Sequence, residues 1–555
     1  MADLNSSFSG QYKPLIQANF WWSITAIIIS AFILLPVLSV IFLALFPADN
    51  IWPHLISTTL PRYISTTVLL MISVGVLAGI VGTFTAWFVV RYSFTGSSWL
   101  QWALLMPLAI PGYVGAYALV DLLEYAGPVQ STLRGVFGWS SSQDYWFPEI
   151  RSFGAAVFVL SLALYPYVYL LTRVAFRDQA SSVEEVARSL GASSYKRLFI
   201  INLPLARPAI AAGVAIVMME TVNDFGTVDY FAVQTLTTGI FSVWLQSSNV
   251  GGAAQLACVV LAMIILLVSL EKLSRRKMQF FNMSSKHNKV TKIKLKGFSN
   301  FLAFSCCFVP VLLGFALPLI VLAEHSMSNP KLFLDRALID ATWNTVFTGT
   351  IAAAFTVVLS IFMVFGMKSI KGRLPKITMP ITTIGYAVPG AVLGIGILIP
   401  LAALDNGMAD VIYYITQIDI GLIFTGTSFA IILAYIVRFF AIGQGATEAA
   451  LGRISPNLEH AARSLGKSRM SVLNRIHLPI IKGSLGSAML LVFVDCVKEL
   501  PATLLLRPFN FNTLSTRVHE QASLEDLVNA APAAIYISLV GLCAVVLLAK
   551  TNKLD

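Results

Sequence analysis

Along most of this chain apolar residues neither alternate with polar ones nor recur on one face of a helix. They run on for about twenty residues at a time, the length at which a helix crosses a hydrocarbon layer of about 30 Å. Twelve such runs are predicted to be spans. The first, residues 22–46, is expected to be retained, because no basic stretch and small-residue cleavage site mark it as a leader. The third (99–123), fifth (208–225), ninth (377–404) and eleventh (485–506) contain Pro or polar residues. Neighbouring helices can satisfy the backbone groups that a Pro frees, so these remain spans.

Composition agrees with this pattern. Of 555 residues, 57% are hydrophobic and 12% charged, against about 25% charged in soluble domains. The expected class is therefore an all-α polytopic membrane protein. The net charge of +11 raises the question of nucleic acid. Most Lys and Arg, however, fall in the short loops on the side of the N-terminus, and such an asymmetry predicts that both termini are cytoplasmic. Residues 271–300 carry nine Lys/Arg and one acid; they read as a solvated cytoplasmic linker, and no nucleic-acid partner is expected. Cys258, Cys306, Cys307, Cys496 and Cys543 lie in or beside apolar runs without a CxxC spacing, so they are read as packing residues.

The chain is written twice. Residues 184–208 and 459–483 are identical at eleven of twenty-five positions. Thr67-Val68 answers Thr345-Val346, Pro111-Gly112 answers Pro389-Gly390, and Thr235-Leu236 answers Thr513-Leu514. This divides the chain into a first repeat (1–270), a linker (271–300) and a second repeat (301–555). Each repeat holds an even number of spans, six, so both enter the membrane in the same direction.

Between the fourth and fifth spans of each repeat the pattern turns amphipathic. Val183, Val186, Ala187 and Leu190 make one apolar stripe, and Leu458, Ala461, Ala462 and Leu465 make the other. Ser182 with Glu185 reads as a capping box, and Ser455-Pro456 as an N-cap followed by Pro in the first turn. Gly191 and Gly466 fit the left-handed position that ends a helix. A short second helix then reaches Leu203-Pro204 or Leu478-Pro479. One such hairpin would suit a headgroup-bound helix; two at equivalent positions suit a twofold partner.

These two loops resemble the EAA loop of binding-protein-dependent ABC importer permeases: Glu185, Val186, Ala187, Gly191, Ile201, Leu203 and Pro204 in one copy, and His460, Ala461, Ala462, Gly466, Ile476, Leu478 and Pro479 in the other. His460 departs from the pattern, with Glu459 one place earlier. The resemblance implies two parallel six-helix repeats in the type I importer permease fold. It also implies that Glu184, Glu185, Ala187, Gly191, Glu459, His460, Ala462 and Gly466 couple the chain to a separate ATPase. Gly466-Lys467-Ser468 looks like the tail of a phosphate loop, but Ala461 stands where that motif needs Gly. No cofactor and no enzymatic activity are therefore expected in this chain, ATP and magnesium belonging to the partner.

Carboxylates inside apolar runs are costly and are read as functional. Glu220 answers Asp495, and Asp224 answers Glu499; a spacing of four predicts both acids of each pair on one helical face. They are candidates for a translocation pathway for a cation, hard cations favouring carboxylate oxygen. The alternative is that they hold neighbouring helices or pair with Lys498. Asp121 has no counterpart in the repeat and reads as a packing or loop-edge residue.

Residues 220–231, 235–241 and 497–518 resemble the fused two-domain permeases of ferric-iron importers. That resemblance implies a bacterial inner-membrane location, an extracytoplasmic iron-binding protein and a homodimeric ATPase as partners, with membrane lipid around the chain. Other readings are a permease of the same build for thiamine, a polyamine or a phosphonate, and a transporter working without ATP. No metal ligands are assigned.

Overall fold

The computed structural model describes residues 13–179, 186, 187, 189–191, 193–276, 292–368, 370, 373–418 and 421–551. Helices dominate it, as long apolar runs require: in lipid each backbone N–H and C=O must be satisfied within its own segment. The first repeat contributes α1 (Lys13–Leu45), α2 (Leu60–Arg91), α3 (Ser97–Ala103), α4 (Gly112–Leu123), α5 (Phe153–Asp178), α6 (Leu203–Asn223), α7 (Gly226–Tyr230), α8 (Leu236–Phe241) and α9 (Val250–Arg276). The second contributes α10 (Phe298–Val311), α11 (Leu317–Ser328), α12 (Arg336–Met367), α13 (Gly390–Thr416), α14 (Ser428–Gly452), α15 (Pro456–Ser464), α16 (Leu478–Lys498), α17 (Pro501–Leu506), α18 (Leu514–Ser523) and α19 (Leu527–Thr551).

Among the described residues, eleven helices are long and apolar enough to cross a membrane, and a pair bent by 93°, Ser97–Ala109 with Gly112–Phe137, brings the number to as many as twelve. The third span is thus broken, not continuous as its apolar run suggested. The break falls at Ile110-Pro111, where Ile110 is extended, with φ −102° and ψ 122°. A residue before Pro is pushed out of the helical region by the Pro ring. The same break recurs before α13, whose N-cap is Pro389.

The chain packs as two compact units, residues 1–46 with 343–511 and residues 47–342 with 512–555. This partition differs from the division of the sequence into repeats, because α1 packs with helices of the second repeat and α10, α11 and α19 pack with the first. In the former unit, Trp22 of α1 stacks on Phe362 and meets Phe365 edge-on, with centroids 5.7 and 4.9 Å apart. Gly396 of α13 faces the backbone of Pro36, leaving no room for a Cβ. Close backbone approach of this kind is how helices associate in lipid, where hydrophobicity gives no preference for protein over solvent.

In the other unit α2, α5 and α6 surround a core containing Tyr165, Tyr169 and Phe176. The only strands among the described residues, β1 (Tyr92–Ser93) and β2 (Ile293–Lys294), pair in parallel at the end of α2. They tie the described end of the linker to the first repeat.

Candidate functional site

The second hairpin is fully described. Ser455 caps α15 by accepting from Asn457 N at 3.4 Å, with Pro456 in the first turn, as expected. At the other end Lys467 N donates to Ala462 O at 3.1 Å and Gly466 N to Arg463 O at 3.0 Å. Gly466 has φ +78°. These two bonds with a left-handed glycine form a Schellman motif, which satisfies the last carbonyls and turns the chain.

In the first hairpin Val186, Ala187 and Ser189 are helical and Gly191 has φ +77°. The matching glycine geometry makes the two hairpins alike at their turns. Ser182, Val183, Glu184 and Glu185 lie outside the described residues, and with them the expected capping box.

The apolar stripes divide into two parts. Ala187 and Ala462 are buried, whereas Leu190 and Leu465 are 80% and 78% exposed and Val186, Leu458 and Ala461 are exposed as well. Each hairpin therefore rests on the chain through alanine and leaves its larger apolar side chains uncovered. Glu459 is half-buried and His460 exposed. Glu459 acts on Lys368 and Arg469, so His460 is the outward member of the pair. Burial holds the Lys368 ammonium below its usual pKa, with Glu459 and Glu448 opposing the shift.

The second limb of each hairpin does not stop at Leu-Pro. It runs through a π-helical turn, Arg197–Asn202 or Leu473–His477, directly into α6 or α16. Leu203 N bonds to Leu198 O and Leu478 N to Leu473 O, five residues back. Pro204 and Pro479 follow immediately; lacking an N–H, they cannot supply the i−4 bond, and the helix widens. The fifth and eleventh spans consequently begin earlier than their apolar runs, at Arg197 and Arg469.

The first limb is tied down at its root. Arg91 donates to Gln179 Oε1 at 2.8 Å and to Asn202 Oδ1 at 3.2 Å, and Gln179 Nε2 donates to Asn202 O at 3.0 Å. Three helix ends thereby meet beside the hairpin. In the second repeat Lys368 Nζ donates to Leu451 O at 3.2 Å, and Phe365 meets His477 edge-on, centroids 5.5 Å apart.

The intramembrane acids differ from expectation. α6 ends at Asn223 and α16 at Lys498, and Asp224 and Glu499 take extended conformations, with ψ 133° and 121°. They do not share a helical face with Glu220 and Asp495. Instead each caps the short helix that follows. Asp224 Oδ1 accepts from Thr227 N at 3.0 Å and Val228 N at 3.2 Å, and Oδ2 from Thr227 Oγ1 at 2.9 Å. Glu499 Oε1 accepts from Ala502 N at 3.1 Å, and Oε2 from Thr503 N at 3.0 Å and Thr503 Oγ1 at 2.8 Å. A carboxylate placed against free N–H groups of a first turn is the favourable position for it.

The Pro-Gly break of the third span packs against this acid in both repeats. A Cβ on Gly112 would touch Thr227 Oγ1 at 3.0 Å and Asp224 Oδ2 at 3.7 Å, and one on Gly390 would collide with Glu499 and Arg438. At Gly390 a side chain has no room, whereas at Gly112 a Cβ would be tight against Thr227.

Chemically the two sites are unequal. Arg438 Nη1 lies 3.1 Å from Glu499 Oε1, both side chains being nearly buried, and Tyr435 Oη and Thr503 Oγ1 are 2.7 Å apart. Asp224 has no cation beside it among the described residues. Repeat comparison passes over Arg438, since Ala163 stands 275 residues before it; an arginine within an apolar run is the signal that finds it. Glu220 and Asp495 are half-buried, and Lys498 and Arg438 both act on Asp495. Asp121 pairs with His325 at 2.7 Å. Tyr117 Oη and His519 Nδ1 are 3.0 Å apart, a contact between distant segments with no sequence signature. Among the described residues no three His, Cys, Asp or Glu side chains converge as a metal site would require.

Three known proteins and one family model are similar to the chain. The chain is 27% identical over 541 residues to a Haemophilus influenzae protein described as an Fe(3+)-transport system permease protein, covering 96% of this chain and 98% of that one. It is 29% identical over 207 residues to an Escherichia coli molybdenum transport system permease protein, covering 35% of this chain and 86% of that one. A chain from the crystal structure of a bacterial alginate ABC transporter with a pentasaccharide-bound periplasmic protein is 16% identical, with a TM-score of 0.36, covering 45% of this chain and 93% of that one. The family described as binding-protein-dependent transport system inner membrane component matches twice, at residues 75–280 and 363–552. With a paired match over more than half its length, this chain is a multi-pass permease component, not itself an enzyme, and belongs to the binding-protein-dependent transport system inner membrane component family.

Proposed function

We propose that this chain is the membrane-spanning subunit of an ATP-driven importer for ferric iron. The observation that carries the coupling half of this reading is the pair of hairpins, each ended by a left-handed glycine and each holding a large leucine uncovered. In this reading those leucines and the neighbouring Glu184, Glu185, Ala187, Gly191, Glu459, His460, Ala462 and Gly466 seat in clefts of a homodimeric ATPase, which binds ATP and magnesium. Both termini and the 271–300 linker then lie on the cytoplasmic side, with residues 1–270 and 301–555 as the two repeats. An iron-binding protein docks on the opposite face.

The cargo assignment is supported by the end-to-end similarity to the Haemophilus influenzae Fe(3+)-transport permease protein. Carboxylates at the ends of α6 and α16 suit a hard cation. Glu220, Asp224, Asp495 and Glu499 are proposed to border its route, with Asp224 and Glu499 also holding the breaks in place.

The test is reconstitution with the cognate ATPase and binding protein. Cysteines placed at Leu190 and Leu465 crosslink to the ATPase, and Gly191→Asp or Gly466→Asp abolishes radio-iron uptake while the protein still reaches the membrane. Unchanged uptake in both glycine variants would disprove the coupling role. Uptake of another solute with no competition by ferric iron would leave the coupling intact and reject the cargo.

A further inference from the structure

The strand pair at the end of α2 gathers cations contributed by segments far apart in sequence. Tyr92 pairs with Ile293 and Ser93 with Lys294, and Leu295 N donates to Ser93 O at 3.0 Å. Asn300 closes the corner, accepting from Thr95 N at 2.9 Å through Oδ1 and donating to Thr95 Oγ1 at 3.0 Å through Nδ2. The strand pair follows Arg91, which is bonded to Gln179 just past the end of α5, so Lys292 and the last turn of α5 share this corner; Arg173 and Arg177 act on Lys292 electrostatically, and Lys294 and Lys296 are exposed further along. Among the described residues no carboxylate pairs with Arg173, Arg177 or Lys292. Partial burial and the two guanidinium groups together push the Lys292 ammonium below its usual pKa, so the cluster is electrostatically unfavourable until an anion enters it.

The same corner carries bare aromatic surface. Arg173 lies over the Trp102 ring at 4.7 Å and donates to Gln101 Oε1 at 3.1 Å, while Trp99 on α3 packs edge-on against Phe308 and stays 47% exposed. Phe298 and Phe301, in the first turn of α10, are exposed as well. Tryptophan belongs at the level of lipid headgroups, and cations just beyond it meet their phosphates. We propose that this corner binds the phosphodiester headgroup of an anionic phospholipid between Arg177 and Lys292, both exposed, with the buried Arg173 adding its charge from behind them and the acyl chains along Trp99, Phe298 and Phe301. Arg177 stands two residues before Gln179, which is bonded to Asn202 at the root of the first hairpin. A lipid seated here braces that root, and the second repeat has no matching strand pair among the described residues.

The experiment is lipid retention by the purified full chain, measured by native mass spectrometry after transfer from mixed phosphatidylglycerol and phosphatidylcholine nanodiscs. The wild type keeps phosphatidylglycerol in preference to phosphatidylcholine. The double variant Arg177→Gln with Lys292→Gln loses that preference by roughly tenfold or more, as the removal of two interfacial charges implies. Lys331→Gln, in the separate 3-10 turn Pro330–Leu334, leaves it unchanged. The charge-conserving pair Arg177→Lys with Lys292→Arg retains the lipid, which separates loss of charge from loss of fold. Equal retention of both lipids by the wild type, or loss of the lipid from the charge-conserving pair, overturns the proposal. So does displacement by inorganic phosphate, which would make the corner a small-anion site.

Discussion

At the scale of single residues, the decisive fact is that equivalent acids have unequal surroundings. Glu499 is neutralised by Arg438 at 3.1 Å, whereas among the described residues Asp224 is held by N–H and hydroxyl donors without a cation. Removing one partner of a buried ion pair leaves an uncompensated charge and costs about 3–5 kcal/mol. Arg438→Met is therefore expected to lower the thermal stability of the purified chain, and Arg438→Met combined with Glu499→Gln to restore most of it; equal losses in both variants would refute a buried pair. Asp224→Asn keeps an acceptor for the cap and removes the charge. It is expected to lower radio-iron uptake in the reconstituted transporter, with protein yield and basal ATP turnover unchanged. Wild-type uptake would confine Asp224 to the cap. Of these residues, Asp224 and Glu499 were legible in the sequence as repeated acids. Their role as caps was not, because an apolar run does not reveal where a helix stops.

At the scale of elements, the second limb of each hairpin joins the following span through a π turn, making one continuous helix. Pro204→Ala restores an N–H able to bond Ile200 O in α register. Removing the extra residue of the turn would rotate the hairpin against α6 by about 100°, one residue's share of a helical turn. The expected result is a correctly inserted protein in which ATP hydrolysis continues and uptake fails; coupled transport at the wild-type ratio would show the turn to be incidental. Ser455→Ala removes an N-cap worth about 1 kcal/mol, so amide exchange across Pro456–Ser464 should rise about fivefold, read by mass spectrometry. The cap of the second hairpin and the glycine turns of both were visible as local patterns. The continuity of the second limb left no local pattern, because a Leu-Pro step usually ends a helix and only a widened turn lets it run on.

For the whole molecule, the repeat of the sequence and the partition of the packing are different divisions. Sequence places α1 in the first repeat, yet its tryptophan and Pro36 backbone pack on the second repeat's helices. Shortening Trp22 to Ala is expected to destabilise residues 343–511 and spare 47–342, which limited proteolysis followed by mass spectrometry would report as new cleavage in the former range alone. At this scale the proposed dependence on ATP is checked most directly: uptake should cease in a strain lacking the nucleotide-binding subunit, and uptake persisting there would point to a transporter that needs no ATP.

The sequence by itself determined that the chain crosses a membrane many times, that it is a duplication, and that each copy has an amphipathic hairpin closed by glycine. These are one-dimensional properties: runs of apolar length, spacings, and residue types with strong backbone preferences. Only the tertiary structure decided that Asp224 and Glu499 cap helices, that Arg438 pairs with Glu499 while Asp224 has no cation beside it among the described residues, that α1 packs with the other repeat, and that Lys292 feels Arg173 and Arg177. Each of these depends on where a helix breaks or on which segment lies beside which, and contacts across a hundred residues or more leave no local pattern to read.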